Sequence, residues 1–395
     1  MKYNIYELTD SKEKNMWEDS FIVFDSSALL DFYFLPKNTR ENIFNNLFNI
    51  KLKDRLWSPA HVKYEYLKNR KRIISKPINE KYKPLKTETL KDIKNSINTI
   101  GKKIEDLKRR TSNDDKHPFL KQNKIEDFFK SFNSLKEDSI EFEKDINNQI
   151  DDIEKEINDL HSNDDVLNAF ESSFKIGNDY NFNEIIEITK EGKHRYEFSI
   201  PPGYEDLKDK KGTQIFGDLI IWKQILDFSK ENKKPIIFIC NDLKEDWCIL
   251  EKENKRIKSP RKELIKEIYD NSGVEFWMYN QAQFLHNANK YLGTEIEEEN
   301  IDLLSNFINE KDDDEKKSNK TLDLSKELEK LKLILKSETK YVENYRKYVD
   351  DLYSVTADDF AHNNAIELSM LEDNLTELQE KISELEQEKI RLSGK

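Results

Sequence analysis

The chain has 395 residues, of which 37% are charged, and its formal net charge is −13. Such an acidic protein is not a general coat for nucleic acid, although a local basic groove stays compatible with this charge. No apolar run approaches the length of a membrane span, and two cysteines, Cys240 and Cys248, imply no disulfide framework. We therefore expect a cytoplasmic protein of two or three domains.

The first predicted strand runs from Phe21 to Phe24 and is followed by Asp25. A short run of aromatic and β-branched residues is typical of a strand buried on both faces. An acid at the carboxyl end of such a strand occupies the place where open α/β sheets bind ligands. Capping of a helix by Asp25 explains the same pattern equally well. By itself, this segment leaves the role of Asp25 open.

Three further elements complete the first part of this predicted domain, residues 1–84. Apolar residues at four-residue spacing predict a helix over Thr39–Phe48, and Lys53–Trp57 is a candidate strand. Ser58 and Pro59 are favourable residues for starting a helix. That helix carries Glu65 and ends in a basic run that includes Arg70 and Arg72.

Residues 85–162 are predicted to form an inserted antiparallel helical hairpin. Apolar residues from Leu90 to Leu107 recur at spacings of three and four, and a second series extends from Ile125 to Leu160. A break from Arg109 to Pro118 separates the two series. Both are expected to pack in the core of the hairpin.

Residues 163–295 are predicted to complete the α/β domain. Segments Glu191–Phe198 and Pro201–Asp206 are rich in turn formers and indicate ordered loops. A helix opens at Gly217 and Asp218, and a buried strand Pro235–Cys240 ends before Asn241 and Asp242. The remaining predicted elements are the helix Pro260–Tyr269, the strand Val274–Met278 and the helix Gln281–Leu292. Strands that alternate with helices favour a parallel sheet.

The rest of the chain is predicted to be a linker and an interaction tail. Residues 296–320 are dense in charge and indicate a flexible linker. Leucine-rich series in residues 321–395, interrupted near Asp358–Asn364, predict a coiled coil. We expect this tail to pair with itself, with another copy of the chain or with a protein partner.

Four acids have comparable positions in these elements: Asp25, Glu65, Asp218 and Asp242. If the two apolar strands are neighbours, Asp25 and Asp242 lie side by side at one sheet edge. Clustered carboxylates repel one another unless a cation neutralises them. Ligation by oxygen alone favours Mg²⁺ or Mn²⁺, ions that support phosphodiester cleavage.

Five motifs in this order resemble the PIN-like nuclease superfamily, and within it a bacterial branch with a long helical insertion. They are Ile22–Asp31, Trp57–Glu65, Ile200–Asp206, Gly217–Leu226 and Ile237–Trp247. The resemblance covers roughly residues 20–292 without most of the hairpin. It implies a PIN-like parallel sheet flanked by helices, interrupted by the hairpin and followed by the coiled coil.

The resemblance also implies an acidic metal site. Asp25, Glu65, Asp218 and Asp242 match the acidic positions of the family, and Asp246 is a candidate fifth metal ligand, with a helix start as the alternative. The family often has Thr-Asn after the first acid, where this chain has Ser26 and Ser27, which we expect to orient it. Asp31 is expected to face solvent or to cap a helix.

Basic and aromatic residues were considered as nucleic-acid contacts. Arg195, Lys211 and Lys223 are candidates for the pocket rim, and Arg70 and Arg72 for a phosphate track, each with an ordinary surface cation as the alternative. Trp247 is expected to pack beneath the site, or to stack on a base if it is exposed.

Three functional hypotheses follow from this organisation. The preferred one is a Mg²⁺- or Mn²⁺-dependent nuclease that acts on RNA or single-stranded nucleic acid, with endoribonuclease action favoured. The alternative is a coiled-coil scaffold that binds a partner and carries an inactive PIN-like domain. The third combines them in a nuclease that a partner controls, as in a toxin or an antiphage defence effector.

Overall fold

The computed structural model describes residues 4–111, 120–208, 210–251, 256–355 and 359–393. Within these ranges the helices are α1 (Asp10–Asp19), α2 (Ser26–Asp31), α3 (Lys37–Asn42), α4 (Ala60–Pro77), α5 (Leu90–Arg110), α6 (Gln122–Asp159), α7 (Asp165–Ser173), α8 (Phe182–Glu197), α9 (Gly217–Asn232), α10 (Lys262–Ser272), α11 (Gln281–Leu292), α12 (Glu298–Val355) and α13 (Asp359–Ser393). The strands are β1 (Phe21–Phe24), β2 (Leu56–Ser58), β3 (Lys175–Ile176), β4 (Ile236–Ile239), β5 (Cys248–Leu250), β6 (Ile257–Pro260) and β7 (Phe276–Tyr279). Short 3₁₀ or π-helical turns cover Phe32–Phe34, Ile43–Lys51, Ile78–Tyr82, Leu85–Thr89, Tyr204–Lys208 and Gly212–Phe216.

A parallel sheet forms the centre of the first unit, which confirms the predicted α/β class. Its strand order is β3-β2-β1-β4-β7, and every neighbouring pair is parallel. Phe24 lies opposite Ile239, so the carboxyl ends of β1 and β4 meet at the same level. Beyond β1 the chain crosses to β2 on one side, and β4 lies on the other. Open α/β sheets bind ligands at such a reversal of strand order.

Apolar side chains cover both faces of this sheet. Ile22, Val23 and Phe24 of β1 are fully buried, as are the four residues of β4. Helix α1, which was not predicted, adds Trp17, whose ring stacks on Phe284 of α11. The two apolar strands are therefore central because the helices on both sides bury them.

Chain segments differ from the predictions where packing overrides local sequence. Glu191–Phe198 was predicted to be a loop, but its residues to Glu197 lie in α8. A Cβ atom on Gly192 would stand 2.4 Å from Cδ1 of Phe216, so this glycine permits close packing and does not form a turn. Ser58 ends β2, and Pro59 is the residue that precedes α4. The antiparallel pair β5–β6 was missed because its strands are only three and four residues long.

The inserted hairpin consists of α5 and α6, and α5 is continuous with the helix before it. Residues 60–110 are helical without interruption, so α4 continues into α5 across the proposed boundary at residue 85. Lys94 pairs with Glu143 at 3.1 Å, which fixes the antiparallel arrangement. Of the predicted break at Arg109–Pro118, residues 112–118 lie outside the described residues.

The chain consists of two compact units, Met1–Ser305 and Asn306–Lys395. In the second unit, α12 and α13 are antiparallel, with ion pairs Lys332–Glu386 at 2.5 Å and Arg346–Glu372 at 2.6 Å. Among the described residues, no helix has both the length and the apolar character needed to cross a membrane.

Most of the predicted flexible linker, residues 296–320, is helical instead, because α12 extends from Glu298 to Val355. This segment contains neither glycine nor proline and is rich in Lys and Glu, which are good helix formers. The described part of the predicted tail break, Asp359–Asn364, also lies in a helix, α13.

Candidate acidic active site

Asp25 is held at the end of β1 by its own neighbour. Its Oδ2 atom accepts hydrogen bonds from the amide of Ser27 at 2.9 Å and from the Ser27 hydroxyl at 2.5 Å. The Ser27 oxygen in turn accepts from the amide of Asn241 beyond β4, at 3.1 Å. Asp25 is thus the N-cap of α2 and also part of a link between the two central strands. Both interpretations of the sequence apply to this residue.

Glu65 reaches the same edge from α4. Its Oε2 atom accepts a hydrogen bond from the Ser26 hydroxyl at 3.0 Å, and its Oε1 atom lies 3.6 Å from Nε2 of His61. A Cβ atom on Gly217 would stand only 3.1 Å from Oε1 of Glu65. The glycine at the start of α9 therefore lets the helix begin directly against this carboxylate.

Asp218 and Asp242 complete the set of predicted acids. Asp218 lies in the first turn of α9 and accepts a hydrogen bond from the Trp247 indole at 3.1 Å. Asp242 follows β4 by three positions, and its Oδ2 atom lies 2.9 Å from Nζ of Lys244. An acid in the first turn of a helix is favoured by the helix dipole.

The charges of neighbouring acids influence the pKa values of Asp25 and Glu65. Burial raises the pKa of Asp25, and the charges of Asp218 and Asp242 raise it further against the opposing hydrogen bonds of Ser27. Burial together with the charges of Asp25 and Asp218 raises the pKa of Glu65 to about 7. Such mutual influence requires short separations between carboxylates.

Lys244 is the main counter-charge in this cluster. Its ammonium lies 2.7 Å from Oδ1 of Asp206, 2.9 Å from Oδ2 of Asp242 and 3.5 Å from Oδ2 of Asp218. Lys210 pairs with the other oxygen of Asp206 at 2.6 Å. Burial alone would raise the pKa of Asp218, but the two ammonium groups and the Trp247 indole lower it below the usual value.

Carboxylate oxygens are the ligands that Mg²⁺ and Mn²⁺ prefer, so the donor chemistry of the four acids fits such an ion. The raised pKa of Glu65 fits it as well, because a nearby cation would offset both the burial and the repulsion from Asp25 and Asp218 that raise this pKa. In the described part of the chain, however, no group of three His, Cys, Asp or Glu side chains is arranged to hold a metal ion. The ion pairs of Lys244 with Asp218 and Asp242 give a physical reason, because its ammonium lies between two of the candidate ligands.

Asp246, the candidate fifth ligand, contacts a loop. Its Oδ2 atom accepts hydrogen bonds from the amides of Gly203 at 2.8 Å and Glu205 at 3.1 Å. Its Oδ1 atom is buried without a hydrogen-bond partner among the described residues, and burial together with the charge of Asp218 raises the pKa of Asp246 to about 6. Asp246 therefore positions the segment that approaches Asp218.

Two candidate rim cations are occupied by ion pairs. Arg195 was considered a surface cation, but it is buried and donates to both oxygens of Glu267 at 2.7 Å and to the carbonyl of Pro201. Lys223 pairs with Glu191 at 2.7 Å and lies 4.0 Å from Glu267. These contacts join α8, α9 and α10, so neither cation is available to a phosphate without breaking them.

Of the three remaining basic candidates, one is held in an ion pair and two are exposed. Arg70 binds Asp164, with Nε and Nη2 at 2.9 and 2.8 Å from the same oxygen, and Asp164 also accepts from the Tyr33 hydroxyl. This network joins α4 to the start of α7. Arg72 and Lys211 are exposed, so they remain candidate nucleic-acid contacts.

Burial corrects the expectation for Asp31 and, of the two expectations for Trp247, favours packing over base stacking. Asp31 does not face solvent; it is almost fully buried and accepts a hydrogen bond from Nδ2 of Asn241 at 2.9 Å. Trp247 is buried as well, so its ring packs against Phe238 and Trp222 and does not present a face to a base.

Sequence reasoning missed Asp206, Lys210 and Lys244 as members of the site. Two of them lie in the named motifs, since Asp206 ends the motif Ile200–Asp206 and Lys244 follows Asp242 by two positions. A cation so close to a predicted acid was the available signal. Which acids it would contact depends on the loop positions.

Comparison with known proteins adds a family assignment. A family model described as a PIN-like domain matches residues 21–264, more than half of the chain. The match begins at β1, includes the inserted hairpin and covers all four predicted acids. No curated protein and no solved structure matches the chain.

Proposed function

The chain belongs to the PIN-like domain family, whose members are generally nucleases, and on that premise we propose that it is a metal-dependent nuclease. The reaction is hydrolysis of phosphodiester bonds in RNA or another single-stranded nucleic acid, with endoribonuclease action expected first. The observation that carries this proposal is the convergence of Asp25, Glu65 and Asp218 at one sheet edge, where burial and then the charges of Asp25 and Asp218 raise the pKa of Glu65 to about 7.

The four acids have separable roles in this proposal. Asp25 and Asp242 are the central ligands, because they follow the two adjacent central strands. Asp218, in the first turn of α9, and Glu65, in α4, complete the set. A bound Mg²⁺ or Mn²⁺ ion would supply water activation and stabilisation of the leaving oxygen. With a pKa near 7, Glu65 is also suited to accept a proton at neutral pH.

Lys244 has a role that precedes catalysis. Its ammonium neutralises Asp206, Asp218 and Asp242 in the free protein. A bound ion would compete with these ion pairs, and Lys244 would then have to release Asp218 and Asp242. In that state its ammonium would be available to a phosphate of the substrate.

A cleavage screen tests this function. Purified protein is incubated with Mg²⁺ or Mn²⁺ and with single- and double-stranded RNA and DNA. Cleavage is expected in RNA or single strands, and both Asp25→Asn and the double variant Asp25→Asn/Asp242→Asn should abolish it. Asp270→Asn is the control, because Asp270 is exposed and pairs only locally, with Lys266. Absence of any metal-dependent cleavage, or activity retained by the double variant, would refute the proposal.

The position of Lys244 also favours a second candidate function, a partner-binding protein in which the lysine replaces the metal ion permanently. The antiparallel helices α12 and α13 would then be the working part of the chain. Calorimetric titration with Mn²⁺ separates the two candidates. Binding that is lost in Asp25→Asn supports the nuclease, and a flat titration of the wild-type protein supports the scaffold.

Control by a partner connects both candidates. We infer that α12 and α13 provide the attachment, as in a toxin or antiphage effector that is held silent until released. Cys240 and Cys248 are buried and are not joined in a disulfide, which agrees with a reducing cytoplasmic compartment. Expression in a bacterial host tests the toxic form. Growth arrest that requires Asp25 supports it, and normal growth with active nuclease present counts against it.

A further inference from the structure

The inserted hairpin carries six large apolar side chains that its own packing leaves about half exposed. They are Ile93, Ile100 and Leu107 on α5 and Phe128, Leu135 and Phe142 on α6, and we call them the apolar stripe. The three on α5 are 42–49% exposed and the three on α6 are 52–60% exposed. Exposure of this extent was not expected, because the whole apolar series was predicted to lie in the hairpin core.

The stripe occupies a single face of the hairpin. Its members follow one another at seven-residue spacing on each helix, so each set of three lies on one side of its helix. The buried residues Leu90, Ile104 and Phe132 form the seam between the helices. Seam positions recur every seven residues, at 90, 97 and 104 on α5 and at 125, 132 and 139 on α6, and each stripe residue comes three positions after one of them. In an antiparallel pair, positions with the same offset from the seam lie on the same side of it.

Contacts across the hairpin support this assignment. Lys94 pairs with Glu143, and Nζ of Lys108 lies 4.7 Å from the ring centre of Phe129. These residues follow seam positions by four, so they occupy the opposite side of the seam from the stripe. Ile93 and Phe142 border one small cavity between the helices together with Lys94 and Glu143, so the cavity shows that α5 and α6 are close at this level but does not separate the two sides.

The exposed area is large enough for an interface. Each of the six side chains exposes roughly 100 Å², which gives about 600 Å² in all, the upper end for the largest patch on a monomer. Two such faces brought together would remove about 1,200 Å² from water, the lower bound for a stable specific interface. A second copy of this hairpin is therefore an occupant of matching size and shape.

We propose that the apolar stripe is the interface of a homodimer, in which two hairpins pack face to face as a four-helix bundle. A two-helix hairpin has only one seam, and a second hairpin would convert the stripe into the core of a bundle. The stripe is symmetric in chemistry, with three apolar residues on each helix, as an isologous interface requires.

Charges near the centre of the stripe favour one orientation of the two copies. Lys103 flanks the stripe on α5 and Asp138 flanks it on α6, each one position before a seam position. A two-fold axis along the hairpin places α5 of one copy against α6 of the other, so Lys103 of one copy comes near Asp138 of the other. The perpendicular axis would bring each of these charges near its own counterpart. At the end of the hairpin Arg110 comes opposite Lys124, so the preference rests on the central pair alone. The proposal does not depend on nuclease activity.

Sedimentation of the full-length chain tests the interface. Across roughly 1–100 µM the wild-type protein is expected to form a species of twice the chain mass of 47.1 kDa, or a multiple of it. Ile100→Glu together with Leu135→Glu should halve the mass, because buried unpaired charges weaken self-association by at least roughly 100-fold. Both residues are half exposed in the single chain, so helicity by circular dichroism should not change.

Ile140→Glu is the matched control, since Ile140 is 55% exposed on the same helix but lies outside the stripe. It should leave the mass unchanged. A wild-type protein that is monomeric throughout overturns the proposal, including the case in which another protein covers the stripe. An assembly that survives the double variant overturns it too, because the tail would then hold the copies together. An equal fall in mass with Ile140→Glu overturns the proposal as well.

Discussion

Replacement of Lys244 by methionine removes the ammonium that contacts three carboxylates while keeping a side chain of similar length. Asp206 is almost fully buried and Asp218 nearly so, with 4% and 14% of their side chains exposed. In the variant, the negative charges of Asp206, Asp218 and Asp242 lie together, and among the described residues the remaining cation at these acids is Lys210, which pairs with Asp206. We expect a protein that is less stable without metal and that gains more stability from Mn²⁺.

The size of the effect follows from burial. Loss of one partner of a buried ion pair costs about 3–5 kcal/mol. The Lys244 side chain is 23% exposed and Lys210 remains, so we place the loss near the lower limit, at about 3 kcal/mol. For a domain of this size, that loss corresponds to a fall of roughly 5–10 °C in the melting temperature.

Thermal unfolding in EDTA and in MnCl₂ measures both parts of the prediction. The variant should melt below the wild type in EDTA, and its increase with Mn²⁺ should exceed that of the wild type because no ammonium competes. Lys266→Met is the control, since Lys266 pairs with Asp270 on an exposed helix surface. Surface pairs of this kind contribute about 0–1 kcal/mol. Lys244→Arg, which keeps the charge, should recover most of the stability.

Two results would refute this reasoning about Lys244. One is a variant as stable as the wild type in EDTA, which would mean that the ion pairs contribute nothing. The other is an equal Mn²⁺ response in both proteins, which would mean that lysine and metal do not compete for the same carboxylates.

Three further predictions concern single residues. Folding raises the pKa of Glu65 from 4.5 to about 7, so its contribution to metal-free stability is fully present below pH 4.5 and is lost as the pH rises through 7. Mn²⁺ requires the deprotonated form, so its effect on the melting temperature should grow between about pH 6 and 8, and Glu65→Gln should flatten both trends. Gly203→Ala should lower the free energy of unfolding by more than about 2 kcal/mol, because φ is +97° and the added Cβ would clash with the Tyr196 hydroxyl. Gly273→Ala is the control, because Gly273 has a positive φ but open space around it, and it should cost only about 1 kcal/mol. Equal losses of stability in thermal unfolding would contradict this prediction. Arg195→Ala should lower the free energy of unfolding by about 3 kcal/mol, because it leaves Glu267 without its ion pair to Arg195. RNA affinity in a filter-binding assay should not change. Weaker RNA binding by a folded variant would show that Arg195 is a phosphate contact after all.

Local sequence patterns predicted the sheet and most of the helices around it. The strands β1 and β4 are short apolar runs that are buried on both faces, a pattern that depends little on the rest of the chain. Their parallel pairing brings Asp25 and the residues after β4 together, as the alternation of strands and helices indicated. Family membership agrees with this order of motifs.

Pairing between distant side chains was not accessible in the same way. Arg195 and Arg70 have the composition of surface cations, but Glu267 and Asp164 bind them because α10 and α7 pack nearby. The segment around Gly192 has the residues of a loop, and only the proximity of Phe216 explains a glycine within a helix. Each outcome depends on residues that are far apart in the chain.

By itself, the sequence determined the central strands β1 and β4, the amphipathic helices and the meeting of Asp25 with the residues after β4, because runs and periods of apolar residues are local properties. Only the tertiary structure decided that Lys244 lies among the acids and that half of the hairpin's apolar series faces outward. The ammonium contacts depend on how the loops after β4 and before α9 meet, and the exposed stripe depends on the rotation of α5 against α6. Neither the meeting of loops nor the rotation of helices leaves a periodic signal in the chain.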